Sequence, residues 1–190
     1  MATAAQTGVD FREAALACLN GLYGYAMSLT HNQEDAEDLV NDTYVRAVQA
    51  CDRLAPGSHV KSWLYAILRN IWLNKIRHDN SGPRLVYMDD GEQAGAVSQV
   101  RSDDDQHARY VAKVERDSLR AAVRQLPLPF REVLVLREFE GLSYEEIAVI
   151  VQCPAGTVMS RLGRAREKLR VLLSAAGVRP AAGVGDYEGW

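Results

Sequence analysis

Apolar residues recur at intervals of three and four along most of the chain, and no stretch alternates apolar and polar residues long enough to build a sheet. Such a pattern can bury its apolar atoms only as amphipathic helices, so the fold class is all-α. Phe11, Ala15, Leu19, Leu22, Ala26 and Leu29 form one stripe over Phe11–Leu29. A second helix is expected after Asn32, a good N-cap, with Ala36, Leu39, Val40, Thr43, Tyr44, Ala47 and Val48 facing inward. Pro56-Gly57-Ser58 breaks the chain, and a third helix is expected from Val60 to Arg77 with Val60, Leu64, Ile67 and Ile71 on one side.

From Ser81 the periodicity gives way to Gly, Ser, Gln and Asp, which carry too little apolar surface to order themselves. The chain therefore divides into a small helical domain at 10–80, a flexible linker at 81–107, a second domain at 108–175 and a flexible tail at 176–190. In the second domain, Ala108–Leu126 reads as a helix closed by Pro127-Leu128-Pro129. Shorter helices are expected over Pro129–Phe139, Ser143–Val151 and Pro154–Ser174. A chain of 190 residues, 47% of them hydrophobic, can fill two small cores. Cys18, Cys51 and Cys153 lie far apart with no CxxC pair, which points to a reduced, cytoplasmic chain without a zinc ribbon. No export signal and no long apolar run is present, so no membrane insertion is expected.

The net charge of −3 argues against a polyanion ligand, but its distribution argues for one. Arg53, Lys61, Arg69, Lys75 and Arg77 follow one another with no acid between them, and Arg161, Arg164, Arg166, Lys168 and Arg170 are interrupted only by Glu167. The acids Glu34, Asp35, Glu37, Asp38 and Asp42 are grouped apart, as a surface for a basic partner. Helix-dipole preference alone accounts for Glu34 and Asp35, but Asp42 lies more than two turns in.

The sharpest local pattern is Gly141-Leu-Ser-Tyr-Glu-Glu-Ile-Ala148 followed by Cys153-Pro-Ala-Gly-Thr-Val-Met-Ser-Arg161. Ser143 with Glu146 makes a capping box that fixes one helix start, and Pro154 suits the first position of the next. Ile147, Ala148 and Val151 are expected to face inward, opposite Val158, Leu162, Ala165, Leu169 and Leu172 of the second helix. That helix then presents Thr157, Ser160, Arg161, Arg164 and Lys168 outward, as a helix-turn-helix does in a major groove. A plain amphipathic helix with a solvated basic face is the alternative; the capped helix and short turn ahead of it count against that.

Leu142-Ser-Tyr-Glu-Glu-Ile-Ala148 and Gly156-Thr-Val-Met-Ser-Arg-Leu-Gly-Arg-Ala-Arg166 resemble region 4 of extracytoplasmic-function (ECF) sigma factors of RNA polymerase. Asp35-Ala-Glu-Asp-Leu-Val-Asn-Asp-Thr-Tyr-Val-Arg-Ala47 resembles region 2.2 of the same family, and Trp63-Leu-Tyr-Ala-Ile-Leu-Arg-Asn70 through Arg77 resembles regions 2.3 and 2.4. The likeness runs over about Phe11–Leu173, with both motif sets in family order across a polar linker. It implies that Asp35, Glu37, Asp38, Asn41 and Asp42 meet core polymerase, with Asn41 where the family usually has Gln. It implies that Lys61, Tyr65, Arg69, Asn70, Trp72, Asn74 and Arg77 hold the melted minus-ten element, with Asn74 where Asp is common. Opening a duplex needs aromatic surface and cationic charge to offset lost stacking, and that helix carries both types. Trp63 reads as core, whereas Trp72 suits core or base stack equally. At the minus-thirty-five element the resemblance implies roles for Thr157, Met159, Ser160, Arg161, Gly163, Arg164, Arg166 and Lys168.

The implied partners are the largest and second-largest subunits of core RNA polymerase, promoter DNA and an anti-sigma factor; no cofactor or metal is implied. Enzyme motifs such as HExxH, P-loop, GxSxG and GxGxxG are absent, and His31, His59, His78 and His107 lack metal-ligand spacing. Cys153 beside Pro154 reads as a small turn filler or as an oxidant-sensitive thiol. The competing function is a helix-turn-helix regulator that does not join core polymerase.

Overall fold

The structure, a computed structural model, describes residues 11–54, 59–79 and 103–177, without the side chains of Arg53, Asp79 and 103–112. Helix α1 covers residues 11–17, and α2 (Leu19–Thr30), α3 (Gln33–Ala50) and α4 (Val60–Asp79) complete the first unit. The second holds α5 (Asp103–Arg124), α6 (Leu128–Leu134), a π-helical turn (Val135–Phe139), α7 (Tyr144–Val151) and α8 (Ala155–Ala175). Every element among the described residues is helical. Residues 81–102 of the expected linker and 178–190 of the expected tail lie outside the described residues. Helix α5 starts at Asp103 rather than Ala108.

In the first unit α2, α3 and α4 pack mutually. The single expected helix over Phe11–Leu29 is interrupted at Cys18, whose N–H reaches back only three residues to the Ala15 carbonyl. That carbonyl also accepts the Tyr44 hydroxyl at 2.6 Å. Beyond the interruption Leu19 is exposed while Ala15, Leu22, Ala26 and Leu29 are buried. Helix α3 is capped by Asn32, whose side chain accepts from the Asp35 N–H at 3.1 Å. Its stripe closes over Ala36, Leu39, Val40, Thr43 and Ala47, and the Thr43 hydroxyl is satisfied by the Leu39 carbonyl. Val48, expected inside, is 64% exposed because the packed face ends at Ala47.

Helix α4 is buried over a wider arc than one stripe requires: Leu64, Tyr65, Leu68, Ile71 and Trp72 are all inside. The reason is that α4 has neighbours on two sides, α2 and α3 of its own unit and α7 of the other. Val60 and Ile67, expected on the buried side, are only partly covered. The two units consequently share one continuous apolar cluster.

In the second unit α8 packs against α5, α6 and α7. Val158, Leu162, Ala165, Leu169 and Leu173 make its buried stripe, Leu173 replacing the expected Leu172, which is only partly covered. In α7, Ile147, Ile150 and Val151 point inward, and Ala148 is half-buried rather than central. The π-helical turn follows α6 directly, with the Glu140 N–H bonded to the Val135 carbonyl five residues back, and Gly141 then takes φ 66° to leave it.

The Ser143 cap is formed reciprocally: its Oγ accepts the Glu146 N–H at 3.2 Å and its own N–H donates to Glu146 Oε2 at 2.9 Å. This backbone bond, opposed in part by burial, holds the Glu146 carboxyl below the ordinary carboxylate range. Replacing Ser143 with Ala is expected to cost about 1 kcal/mol of stability, read by urea denaturation. The Glu146 contribution is complete above the unfolded carboxyl value and is lost as pH falls through its lower folded value. Acid titration of Glu146→Gln should therefore show a weaker loss of stability than the parent chain.

Candidate nucleic-acid interface

The turn between α7 and α8 is short and specified. Gln152 adopts a left-handed conformation at φ 54° with its N–H on the Ala148 carbonyl, and Pro154 precedes the first turn of α8, where Thr157 N–H bonds its carbonyl at 2.8 Å. Met159, Ser160, Gly163, Arg164, Arg166 and Lys168 are exposed, with Thr157 and Arg161 half-buried. Opposite the buried stripe, α8 thus presents a polar, cationic face. Arg161, Arg164 and Lys168 make no ion pair among the described residues, whereas Arg166 is held by Glu138, its Nε 3.0 Å from the carboxylate. Arg137 lies over the Tyr144 ring at 4.9 Å and donates to the Leu142 carbonyl, bracing the start of α7.

On α3, Glu37, Asp38, Asn41 and Asp42 are exposed along one side. Asp35, half-buried, is instead drawn to Lys75 of α4 at 2.8 Å, and Glu37 accepts from the Gln33 amide at 2.9 Å. Asp38, Asn41 and Asp42 form the part of the acidic face without an internal partner among the described residues.

The seven residues expected at a single strand fall on two stripes of α4. Asn70, Asn74 and Arg77, spaced four and three apart, are exposed. Lys61, Tyr65, Arg69 and Trp72 share the neighbouring stripe and are turned inward. Lys61 Nζ donates to the Glu140 carbonyl at 2.6 Å and lies 3.2 Å from its carboxylate. Arg69 Nε donates to Glu132 Oε1 at 2.6 Å. Tyr65 is fully buried and Trp72 is 7% exposed. Trp63, read as core, is only half-buried and meets Phe11 edge-on at 6.1 Å.

Glu132, Glu140 and Arg131 were not among the residues singled out from sequence, nor were Tyr25 and Gly21 opposite them. Glu132 is 2% exposed and also accepts the Tyr25 hydroxyl at 3.1 Å. Arg131, likewise buried, places one guanidinium nitrogen 2.6 Å from His31 Nε2 and 2.8 Å from the Arg124 carbonyl. The available signal was Glu132 at the head of the apolar run Val133–Leu136, where a solvated carboxylate would be out of place. Burial, aided by Glu132, pushes the Tyr25 phenol well up, and burial aided by Glu140 does the same to Tyr65. Burial opposes the charge of Arg69, and its bond to Glu132 more than offsets that. Burial also pulls Arg131 down. Among the described residues no His, Cys, Asp or Glu cluster could hold a metal ion, and no helix is long and apolar enough to cross a membrane.

Residues 15–81 match the model of sigma-70 region 2, and residues 116–169 match that of sigma-70 region 4. The chain is 38% identical over 164 residues to the ECF RNA polymerase sigma factor EcfG of Rhodopseudomonas palustris, covering 86% of this chain and 85% of that one. It is 36% identical over 135 residues to the ECF sigma factor SigC of Mycobacterium tuberculosis, covering 70% and 68%. Among solved structures it is similar to the sigma factor RpoE of Bartonella quintana in complex with the anti-sigma factor NepR, at TM-score 0.66 and 33% identity, covering 87% and 97%. It is also similar to CnrH in complex with the cytosolic domain of CnrY, at TM-score 0.57 and 28% identity, covering 90% and 95%. Both matched models are those of sigma factors, which are transcription initiation factors and not enzymes. The chain belongs to the ECF group of sigma-70 RNA polymerase sigma factors, with regions 2 and 4 in order.

The raised phenols make an alkaline prediction. Unfolded tyrosine releases its proton near pH 10, whereas Tyr25 and Tyr65 keep theirs in the fold, so stability falls as pH rises above about 10. Tyr44, pushed up to about 12 mainly by burial, acts in the same direction. Spectrophotometric titration should show these ionisations only together with loss of helical circular dichroism.

Proposed function

We propose that this chain carries core RNA polymerase to its promoters, region 2 holding the opened minus-ten element and region 4 reading the minus-thirty-five element as duplex. The observation that carries this is the capped helix-turn-helix with Arg161, Arg164 and Lys168 unpaired on its outward face. Side chains near the start of α8 would reach base edges, and the following cations would neutralise phosphates. Arg166, engaged by Glu138, would serve DNA only after exchanging that partner. Asp38, Asn41 and Asp42, with Glu37 beside them and Asp35 nearer α4, would meet a basic surface of the largest polymerase subunit, with long-range attraction speeding encounter. Asn70, Asn74 and Arg77 would begin the contact with the displaced strand, and Lys61, Tyr65, Arg69 and Trp72 would complete it. The chain would act in the cytoplasm. The relatives crystallised with NepR and CnrY support control by an anti-sigma factor here as well.

Transcription in vitro tests the assignment. With core polymerase and no other sigma factor, this chain should start transcripts at discrete sites; a regulator that does not join core would give none. Arg164→Ala should weaken binding to a cognate minus-thirty-five duplex by about 1 to 3 kcal/mol if the guanidinium contacts a base in bidentate fashion. An unaltered footprint would remove Arg164 from the interface. Charge reversal at Asp38 and Asp42 should lower affinity for core polymerase at low salt, measured by fluorescence anisotropy, with helical content unchanged.

A further inference from the structure

We propose that Met159 sets a base preference of region 4: its thioether side chain meets the 5-methyl group of a thymine, so that the minus-thirty-five element holds an A·T pair where Met159 touches it. This rests on the placing of α8 in a major groove proposed above and adds to it which pair is chosen there. Met159 lies in the second turn of α8 and is 51% exposed. That is the end of the helix whose side chains reach base edges. A single exposed apolar residue is ordinary on a protein surface; this one stands among Thr157, Ser160, Arg161 and Arg164, on a face that is otherwise polar. Val171, the other large apolar side chain exposed on α8, lies more than three turns further on. In the major groove the apolar mark on the base edges is the thymine methyl, and burying it against an apolar side chain is favourable for both.

The neighbours of Met159 favour this contact over a charged one. At about 100° per residue, Gly163, Arg166 and Arg170 follow Met159 along the same side of the helix. Arg166 and Arg170, which could otherwise read guanine, are held by Glu138 and Glu167 at 3.0 and 2.8 Å. Gly163 is exposed in mid-helix, and a Cβ added there would meet nothing within 4 Å. Packing within the chain therefore does not require a glycine, which weakens a helix relative to alanine. The space it leaves lets a base edge come in beside the Met159 side chain. Ser160 narrows the choice further. Its hydroxyl donates to the Thr157 carbonyl at 3.0 Å, so it turns an acceptor to the groove, suited to the amino group of adenine or cytosine. Only an A·T pair presents both a methyl and an amino group there.

The test uses the full chain as holoenzyme and a labelled fragment of a promoter at which that holoenzyme starts transcripts. Each thymine of the minus-thirty-five element, on either strand, is replaced in turn by deoxyuridine, which removes the 5-methyl group and keeps the base pairing. Affinity is read by fluorescence anisotropy. For the parent, at least one replacement should weaken binding about fourfold, the effect of one buried methyl group. Met159→Ala should bind the thymine and deoxyuridine fragments alike, and Met159→Leu, which keeps an apolar side chain, should restore the difference. Met159→Arg should move the preference at that pair from A·T to G·C, because a guanidinium fits guanine O6 and N7. Methyl loss that never weakens the parent, or that weakens Met159→Ala as much as the parent, overturns the inference. An element without any A·T pair does so as well. A parent holoenzyme that binds the unmodified element, loses affinity with Arg164→Ala and ignores methyl loss sinks the role of Met159 alone. One that binds no such element sinks the functional assignment together with it.

Discussion

The bond between Arg69 and Glu132 sets the constraint on which the rest of the arrangement depends. A carboxylate 2% exposed is tolerable only with a cation and further donors within reach. Arg69 and Tyr25 supply them from α4 and α2. Because the partners belong to different regions, the charge requirement of one region is met by the other. The joint therefore has a fixed register, whereas apolar contact alone would allow sliding. That register determines which stripe of α4 is covered and which faces outward.

The three surfaces proposed to act in initiation accordingly stand in different states within one molecule. The region 4 face of α8 and the acidic side of α3 are open, with Arg164, Lys168, Asp38 and Asp42 exposed. The inner stripe of α4 is closed. If these surfaces take the roles proposed for them, a chain in this form would meet duplex DNA and a basic protein surface before it could hold a melted strand. Uncovering the inner stripe of α4 would also be coupled by linkage to whatever separates the two regions.

Helix-level features were legible in the sequence because they depend on near neighbours. The Asn32 cap and the Ser143–Glu146 box follow from residues within one turn of each other and are found as expected, whereas α8 starts at Ala155, with Pro154, expected as its first residue, in the cap position before it. Family membership was legible because both regions carry long motifs in order. The burial of Tyr65 and Trp72 was not, since periodicity reports how wide a stripe is and not how many neighbours a helix has. Helix α4 has neighbours in both regions, and nothing local to it announces the second. The interruption at Cys18 was missed for a similar reason, as the Tyr44 hydroxyl that shares the Ala15 carbonyl comes from another helix. Glu132 left a trace as a carboxylate heading the apolar run Val133–Leu136, but identifying Arg69 rather than the adjacent Arg131 as its partner required the packing of one region on the other.

The wide turn at Val135–Phe139 has a geometric effect beyond ending α6. Eight residues of regular helix advance by about 800°, leaving Glu140 about 80° out of phase with Glu132. Hydrogen bonding over five residues slows the rotation through this turn, so Glu140 comes round toward the side occupied by Glu132. Deleting one residue there would swing everything beyond it by about 100° and send the Glu140 side chain away from Gly21. The spacing between the two acids is thus as much a part of the joint as their charge, and a chain with both acids but a regular helix between them would present them to different neighbours.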